Sequence, residues 1–267
     1  MRAVTRLIEI MKRLRDPETG CPWDREQTLL SILPFTLEEA YELADAVERG
    51  DLEGVREELG DLLFHIAFYA RIAEESGGFG FRNVAESINR KLQNRHPHVF
   101  AQGRRIGSAA EQALEWERHK AGERRRDRNG EGRFLDGIPA SLPALVRAFK
   151  LQKRAATVGF DWGESGAVLD KLDEELGELR DAVRSGASEA ELAEELGDIL
   201  FAGINCARHL GVDPELALRA ANRKFEERFG YLENALKAKG RTLDEASLEE
   251  MEAGWQEAKS ALPRRDC

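Results

Sequence analysis

The chain carries one pattern twice, and that repeat limits the fold more than any other feature of its 267 residues. Trp23 and Trp162 stand 139 positions apart, and so do Trp116 and Trp255. Between these markers the halves follow one order. LEEAYELADAV (37–47) matches DEELGELRDAV (173–183), EELGDLLF (57–64) matches EELGDILF (194–201), and NRKLQNR (89–95) matches NRKFEER (222–228). WERHKA (116–121) then matches WQEAKS (255–260). The offset drifts between 133 and 139, as loop insertions produce. The expected fold is therefore all-α, two tandem repeats of one helical-bundle domain. Residues 1–121 form the first copy, 122–136 a linker and 137–267 the second copy. The stretch GERRRDRNGEGR (122–133) has no apolar side chain, so it cannot join a core. Its Arg124–Arg128 cluster reads as part of a solvated, mobile linker in an acidic chain.

Each copy reads as helix. Val and Ile together number only 20 residues, while Ala, Leu, Glu and Arg dominate, which disfavours an extensive sheet. Four or five helices per half are expected. Val55, Leu59, Leu62, Ile66 and Ala70 step by three or four and predict one apolar face. Leu192, Leu196, Ile199 and Gly203 or Ile204 repeat it. Gly50 followed by Asp51 predicts a helix stop and a new N-cap. Ser108-x-x-Glu111, Ser247-x-x-Glu250 and Thr36-x-x-Glu39 have the spacing of capping boxes.

Several classes are disfavoured. A net charge of −10 argues against a bulk grip on nucleic acid. No apolar run approaches 18 residues, so no membrane span is expected. MRAVTRLIEIMKRLRD reads as a first amphipathic helix rather than a secretory signal. Cys21, Cys206 and Cys267 are odd in number and widely spread, which fits a reducing, cytoplasmic setting better than a disulfide framework. No G-x-x-x-x-G-K-[ST] loop is present, and no Glu stands three before any of the five histidines, as a di-iron bundle requires. Pro97 makes His96 and His98 part of a turn rather than a helical ligand pair.

The carboxylates are patterned. Glu38, Glu39 and Glu42 are followed by Glu58 and Asp61; Glu174, Glu175 and Glu178 are followed by Glu195 and Asp198. At about 100° per residue, each E-E-x-x-E triplet shares one quadrant of a helix and each E-x-x-D pair is about 60° apart on the next. A spacer of 15 or 16 residues lets the two helices fold back and face their carboxylates. Like charges so close call for a hard cation with oxygen ligands, Mg²⁺ where phosphates are involved. Gly60 and Gly197 lie mid-helix inside the E-L-G-D segments, where a close helix approach is expected to justify them. Lys91 with Arg95 and Lys224 with Arg228 share helix faces, followed by Trp116 and Lys120 or by Trp255 and Lys259. Cations for phosphate and an aromatic for a base are what a nucleotide needs. Lys171 lies one turn before Glu174, whereas the matching first-half position is Phe35, so the second half is expected to carry most of the activity.

These residues resemble the MazG nucleoside triphosphate pyrophosphohydrolases in their tandem bacterial form. The likeness covers nearly the whole chain and includes GCPWDREQT (20–28), KLQNRHPHVFA (91–101), GIPASLPAL (137–145) and VGFDW (158–162). It implies a homodimer that uses Mg²⁺, with Mn²⁺ as a substitute, to split nucleoside triphosphates into monophosphate and pyrophosphate, removing unwanted nucleotides. It implies that Glu175, Glu178, Glu195 and Asp198 hold the metal, with Glu39, Glu42, Glu58 and Asp61 as a second, weaker site. Glu174 and Glu175 are the implied catalytic pair, Glu174 supporting the metal site or orienting the attacking water. Lys171, Lys224, Arg228 and Lys259 would contact phosphates and Trp255 would stack on the base. The competing expectation is a non-catalytic nucleotide-binding or regulatory helical dimer.

Overall fold

The computed structural model describes residues 2–100, 107–108, 111–112 and 133–262. Trp116, Lys120, the Arg124–Arg128 cluster, most of the expected linker and Cys267 lie outside them. The chain splits into two compact units, Met1–Gly130 and Glu131–Cys267. Among the described residues every regular element is helical, and no helix is long and apolar enough to cross a membrane.

The first unit contains α1 (Arg2–Leu14), α2 (Pro22–Glu26), α3 (Leu33–Arg49), α4 (Leu52–Glu75), α5 (Phe81–Arg95) and α6 (Pro97–Phe100). Helices α3 and α4 form a hairpin across two residues. Gly50 stops α3 at φ 70°, a left-handed conformation that glycine adopts without a Cβ penalty. Asp51 starts α4 by accepting a hydrogen bond from the Gly54 N–H at 3.0 Å. The core lies where α1 and α5 pack on α4: Met11, Ile32, Ala67, Phe68 and Ile72 are buried, with Phe64 and Tyr69 against them. Burying Phe68 completely contributes about 1.5–3 kcal/mol. Buried Arg15 ties the loop before α3 to this core. It donates to the carbonyls of Asp24 and Gln27 and pairs with Glu75 at 2.7 Å.

The second unit contains α7 (Ala144–Ala156), α8 (Ser165–Ser185), α9 (Glu189–His209), α10 (Pro214–Ala238), a 3₁₀ turn (Leu243–Glu245) and α11 (Leu248–Ala261). Gly186 at φ 70° stops α8, and a Ser188–Glu191 capping box opens α9. The two helices pack closely together, with α7 laid across α9 and α10. The expected Ser247–Glu250 box opens α11. Gly254 and Ala258 let α11 approach Leu232 of α10 where a larger side chain would collide.

Three expectations change. The apolar face of α4 is only partly as expected: Ala70 is buried, but Leu59 and Ile66 are exposed, and His65, Phe68 and Ile72 are buried instead. In α9, Ile204 is buried as expected, but Leu196 is exposed and Ala202 and Asn205 are buried as well. The apolar residues cover more of each helix than one core-facing stripe, and the unit's own packing selects only part of that arc. Thr36 and Glu39 form no capping box, because α3 begins upstream at Leu33 with Pro34 in its first turn. Thr36 instead bonds the Ile32 carbonyl and the Tyr69 hydroxyl. No close helix approach explains Gly60 or Gly197: a Cβ at either would meet nothing within 4 Å among the described residues.

Candidate active site

The α3–α4 hairpin brings its carboxylates to matching heights. Glu42 and Glu58 lie about two turns from the connection, Glu39 and Asp61 about three. Oxygens of Glu39, Glu58 and Asp61 fall within 4.8 Å of one another. Glu42 stands outside this triad, yet its charge reaches Glu39. Desolvation, a hydrogen bond with Glu58 and the charges of Asp61, Glu42 and Glu58 push the Glu39 carboxyl up to about 7.

In the second unit Glu175, Glu178 and Glu195 come within 4.8 Å of one another. Asp198 is not in that group; it lines, with Glu175 and Lys171, a cleft of about 60 Å³. Desolvation and the neighbouring Glu175 charge raise the Glu178 pKa. Lys171 supplies an opposing charge, its Nζ 2.8 Å from Glu174 Oε1 and 2.9 Å from the buried Glu175 Oε1. These hydrogen bonds hold the ammonium above its ordinary pKa. Phe35, at the corresponding place in the first unit, sets its ring edge-on to Trp23 with centroids 6.1 Å apart.

The remaining expected contacts lie on α10 and α11. Lys224 and Lys259 are exposed. The Arg228 guanidinium lies 5.9 Å from the Trp255 ring centroid, and Phe225 packs on the same ring at 5.2 Å. Among the described residues, none of these four expected substrate contacts lines the cleft beside the carboxylates. The cleft is instead walled by Gln152, Trp162, Val168, Phe201 and Asn205, which the sequence did not single out as site residues. One signal was readable: Asn205 is a carboxamide on the buried arc of α9, one turn after Ala202. Behind it, Arg208 Nε and Nη2 donate to Asn205 Oδ1 at 3.0 and 2.8 Å. Arg208 and His209 also bond Asp161 in the loop before α8. The Arg208 hydrogen bonds hold the Asp161 pKa below its ordinary value.

Each unit has a helical hairpin that gathers acidic side chains, a donor set that could hold a hard cation. The MazG nucleotide pyrophosphohydrolase domain model matches residues 27–100 and again 164–231, the segments that carry both hairpins. The chain is 49% identical to the nucleoside triphosphate pyrophosphohydrolase of Escherichia coli strain K12, over 97% of this chain and 98% of that protein. It is 42% identical to the nucleoside triphosphate pyrophosphohydrolase/pyrophosphatase MazG of Thermotoga maritima, over 95% and 94%. A Mycobacterium tuberculosis nucleoside triphosphate pyrophosphohydrolase is 37% identical over 78% of this chain and 64% of its own length. The chain belongs to the MazG family, in its two-domain form.

Proposed function

We propose that this protein hydrolyses ribo- and deoxyribonucleoside triphosphates to monophosphate and pyrophosphate, mainly in its C-terminal unit, and so clears unwanted nucleotides. The carrying observation is the Glu175, Glu178 and Glu195 cluster with Lys171 beside it. Full-length similarity to enzymes named for this reaction supports the same reading.

The donor set fits a hard divalent cation: three convergent carboxylates in each unit, with the Glu39 pKa raised by its crowded acidic neighbours. In the C-terminal unit Glu175, Glu178, Glu195 and Asp198 would hold Mg²⁺, or Mn²⁺ in its place. When bound, the cation supplies Lewis-acid stabilisation of the charge on the leaving pyrophosphate. Lys171 presents a second positive charge to phosphate oxygens once it turns from Glu174. Glu174 orients the attacking water, and Glu175 holds both Lys171 and the metal end of the site. Lys224, Arg228 and Lys259 are the outer phosphate cations, and Trp255 an aromatic partner for the base.

Glu39, Glu42, Glu58 and Asp61 form the weaker site, suited to binding or regulation, because Phe35 brings no phosphate cation. The exposed rows Leu59, Leu63 and Ile66 on α4 and Leu196 and Leu200 on α9 support a homodimer that covers them. Free Cys21 and Cys206 support a cytoplasmic setting. The net charge of −10 argues against nucleic acid as a partner.

The test is product analysis. Each of the eight common triphosphates is incubated with purified protein, with and without Mg²⁺, and the products are separated chromatographically. Monophosphate plus pyrophosphate, formed only with metal, is expected. Diphosphate plus phosphate would refute the assignment, and binding without turnover would favour a non-catalytic nucleotide-binding module.

A further inference from the structure

Helices α8 and α9 form a hairpin with two ends, and the chain itself closes only one of them. Residues 186–188 join Ser185 to Glu189, while the other end sets the start of α8 beside the last turn of α9. Glu175 lies ten residues from either end of α8. At 1.5 Å per residue, that is an arm of about 15 Å from the connection. A splay of about 5° there would move the Glu175 carboxylate by about 1.3 Å. A metal–oxygen distance tolerates about 0.2 Å. Carboxylates on both helices can meet one ion only if the open end is fastened as well.

A clamp stands at that end. Asp161, in the loop before α8, receives Arg208 and His209 from the end of α9. Arg208 Nη1 donates to Asp161 Oδ2 at 3.0 Å, and Nη2 donates to Oδ1. His209, with its proton on Nε2, donates to the same Oδ1 at 2.9 Å. The Arg208 fork also reaches back along α9 to Asn205. Bidentate, charge-assisted bonds fix angle as well as distance. The Arg208 and His209 side chains are 14% and 13% exposed, so water screens the pairing little. Apolar burial adds little to the hold, because Val158, Phe160 and Trp162 of the same loop are exposed.

The first unit fastens the equivalent end by other means. The register that pairs Asp61 with Asp198 pairs Arg71 with Arg208. Arg71 stays on its own helix, bonded to Glu74 and Glu75. Arg15 makes the crossing there, pairing with Glu75 and holding the carbonyls of Asp24 and Gln27.

We propose that Asp161, Arg208 and His209 are positioning residues of the C-terminal site: by fastening the start of α8 to the end of α9, they set Glu175 and Glu178 against Glu195 and Asp198. The proposal rests on the reading of these carboxylates as the metal site and adds to it the device that fixes their spacing.

Asp161→Asn, Arg208→Lys and the double variant test it in the full chain. Asn keeps the shape of Asp161 without its charge, and Lys keeps the charge without the fork. Mn²⁺ is titrated and read by paramagnetic broadening of two amide resonances, Gly197 beside Asp198 and Gly60 beside Asp61. Hydrogen exchange of the metal-free protein and thermal melting are measured in parallel. Each variant is expected to need ~10-fold more Mn²⁺ to broaden Gly197, with Gly60 unchanged. The double variant should be no worse than the single ones, as one shared contact requires. Exchange should rise at residues 165–172 and 203–209 and stay as it was at 180–194. High Mn²⁺ should restore most of the lost kcat. A lower melting temperature with an unchanged Gly197 titration overturns the proposal, since the clamp is then only structural. Equal shifts at Gly60 and Gly197 overturn it too, and so does unchanged exchange at the open end. If Mn²⁺ broadens neither glycine in the unaltered protein, the metal reading fails separately, and the exchange pattern alone decides this inference.

Discussion

The two units hold the same carboxylate pattern in different company. In the first, Glu39, Glu58 and Asp61 converge with no lysine among them in the described residues, and the Glu39 pKa rises to about 7. In the second, Lys171 reaches Glu174 and Glu175 at 2.8 and 2.9 Å. Behind the carboxylates the first unit fills its interior with Met11 and Phe68, while the second leaves a cleft with Gln152 and Asn205 on its walls. Both units keep a carboxylate cluster that could hold a cation. The surroundings that handle a substrate diverged, and so a motif alone does not define an active site.

Lys171→Met should have the largest effect on that contrast. Losing a phosphate cation that also balances Glu175 is expected to lower kcat/KM by ~10²-fold, read by initial rates of pyrophosphate release. Phe35→Lys should leave C-terminal turnover unchanged, and an equal loss in both variants would erase the distinction.

The pH response sharpens it. Glu39 has its pKa raised from an ordinary 4.5 to about 7. Its favourable contribution to stability is therefore full below about 4.5 and is lost as pH rises through about 7. The metal-free protein should lose melting temperature over that window, and Glu39→Gln should flatten the change. Metal must displace the Glu39 proton, so Mn²⁺ binding to the first unit should tighten between about pH 6 and 8. Calorimetry in two buffers of different ionisation enthalpy would reveal the released proton; no release would place the cation elsewhere.

The smallest effect concerns the helix glycines. Because a Cβ at Gly60 or Gly197 meets nothing within 4 Å among the described residues, alanine at each should stabilise its helix by ~1 kcal/mol in thermal melts. A loss of stability together with a change in sedimentation would mean that a second copy covers those faces.

Much of this architecture was legible because it is local. Gly50 with Asp51 and Ser247 with Glu250 announce helix ends through their own backbone chemistry. The i, i+3 spacing of the carboxylates sets their side of the helix, and short connections bring the pairs together. What the sequence hid was decided between helices. Leu59 and Ile66 carry the same apolar signal as Phe68 and Ile72, and only the packing of α1 and α5 on α4 selects the buried arc. Gln152 and Asn205 lie 53 positions apart on α7 and α9 and become a pair only after folding. Lys171 was legible as a cation near the site, but its engagement with Glu174 and Glu175 follows from side-chain geometry.

Turnover is proposed to belong to the C-terminal carboxylates. Steady-state hydrolysis of triphosphate by Glu175→Gln and Glu39→Gln, compared side by side at saturating Mg²⁺, tests it most directly. A loss of ~10²-fold or more is expected for Glu175→Gln and less than about 2-fold for Glu39→Gln, which lies in the unit where Phe35 stands in place of Lys171. Equal losses would contradict it.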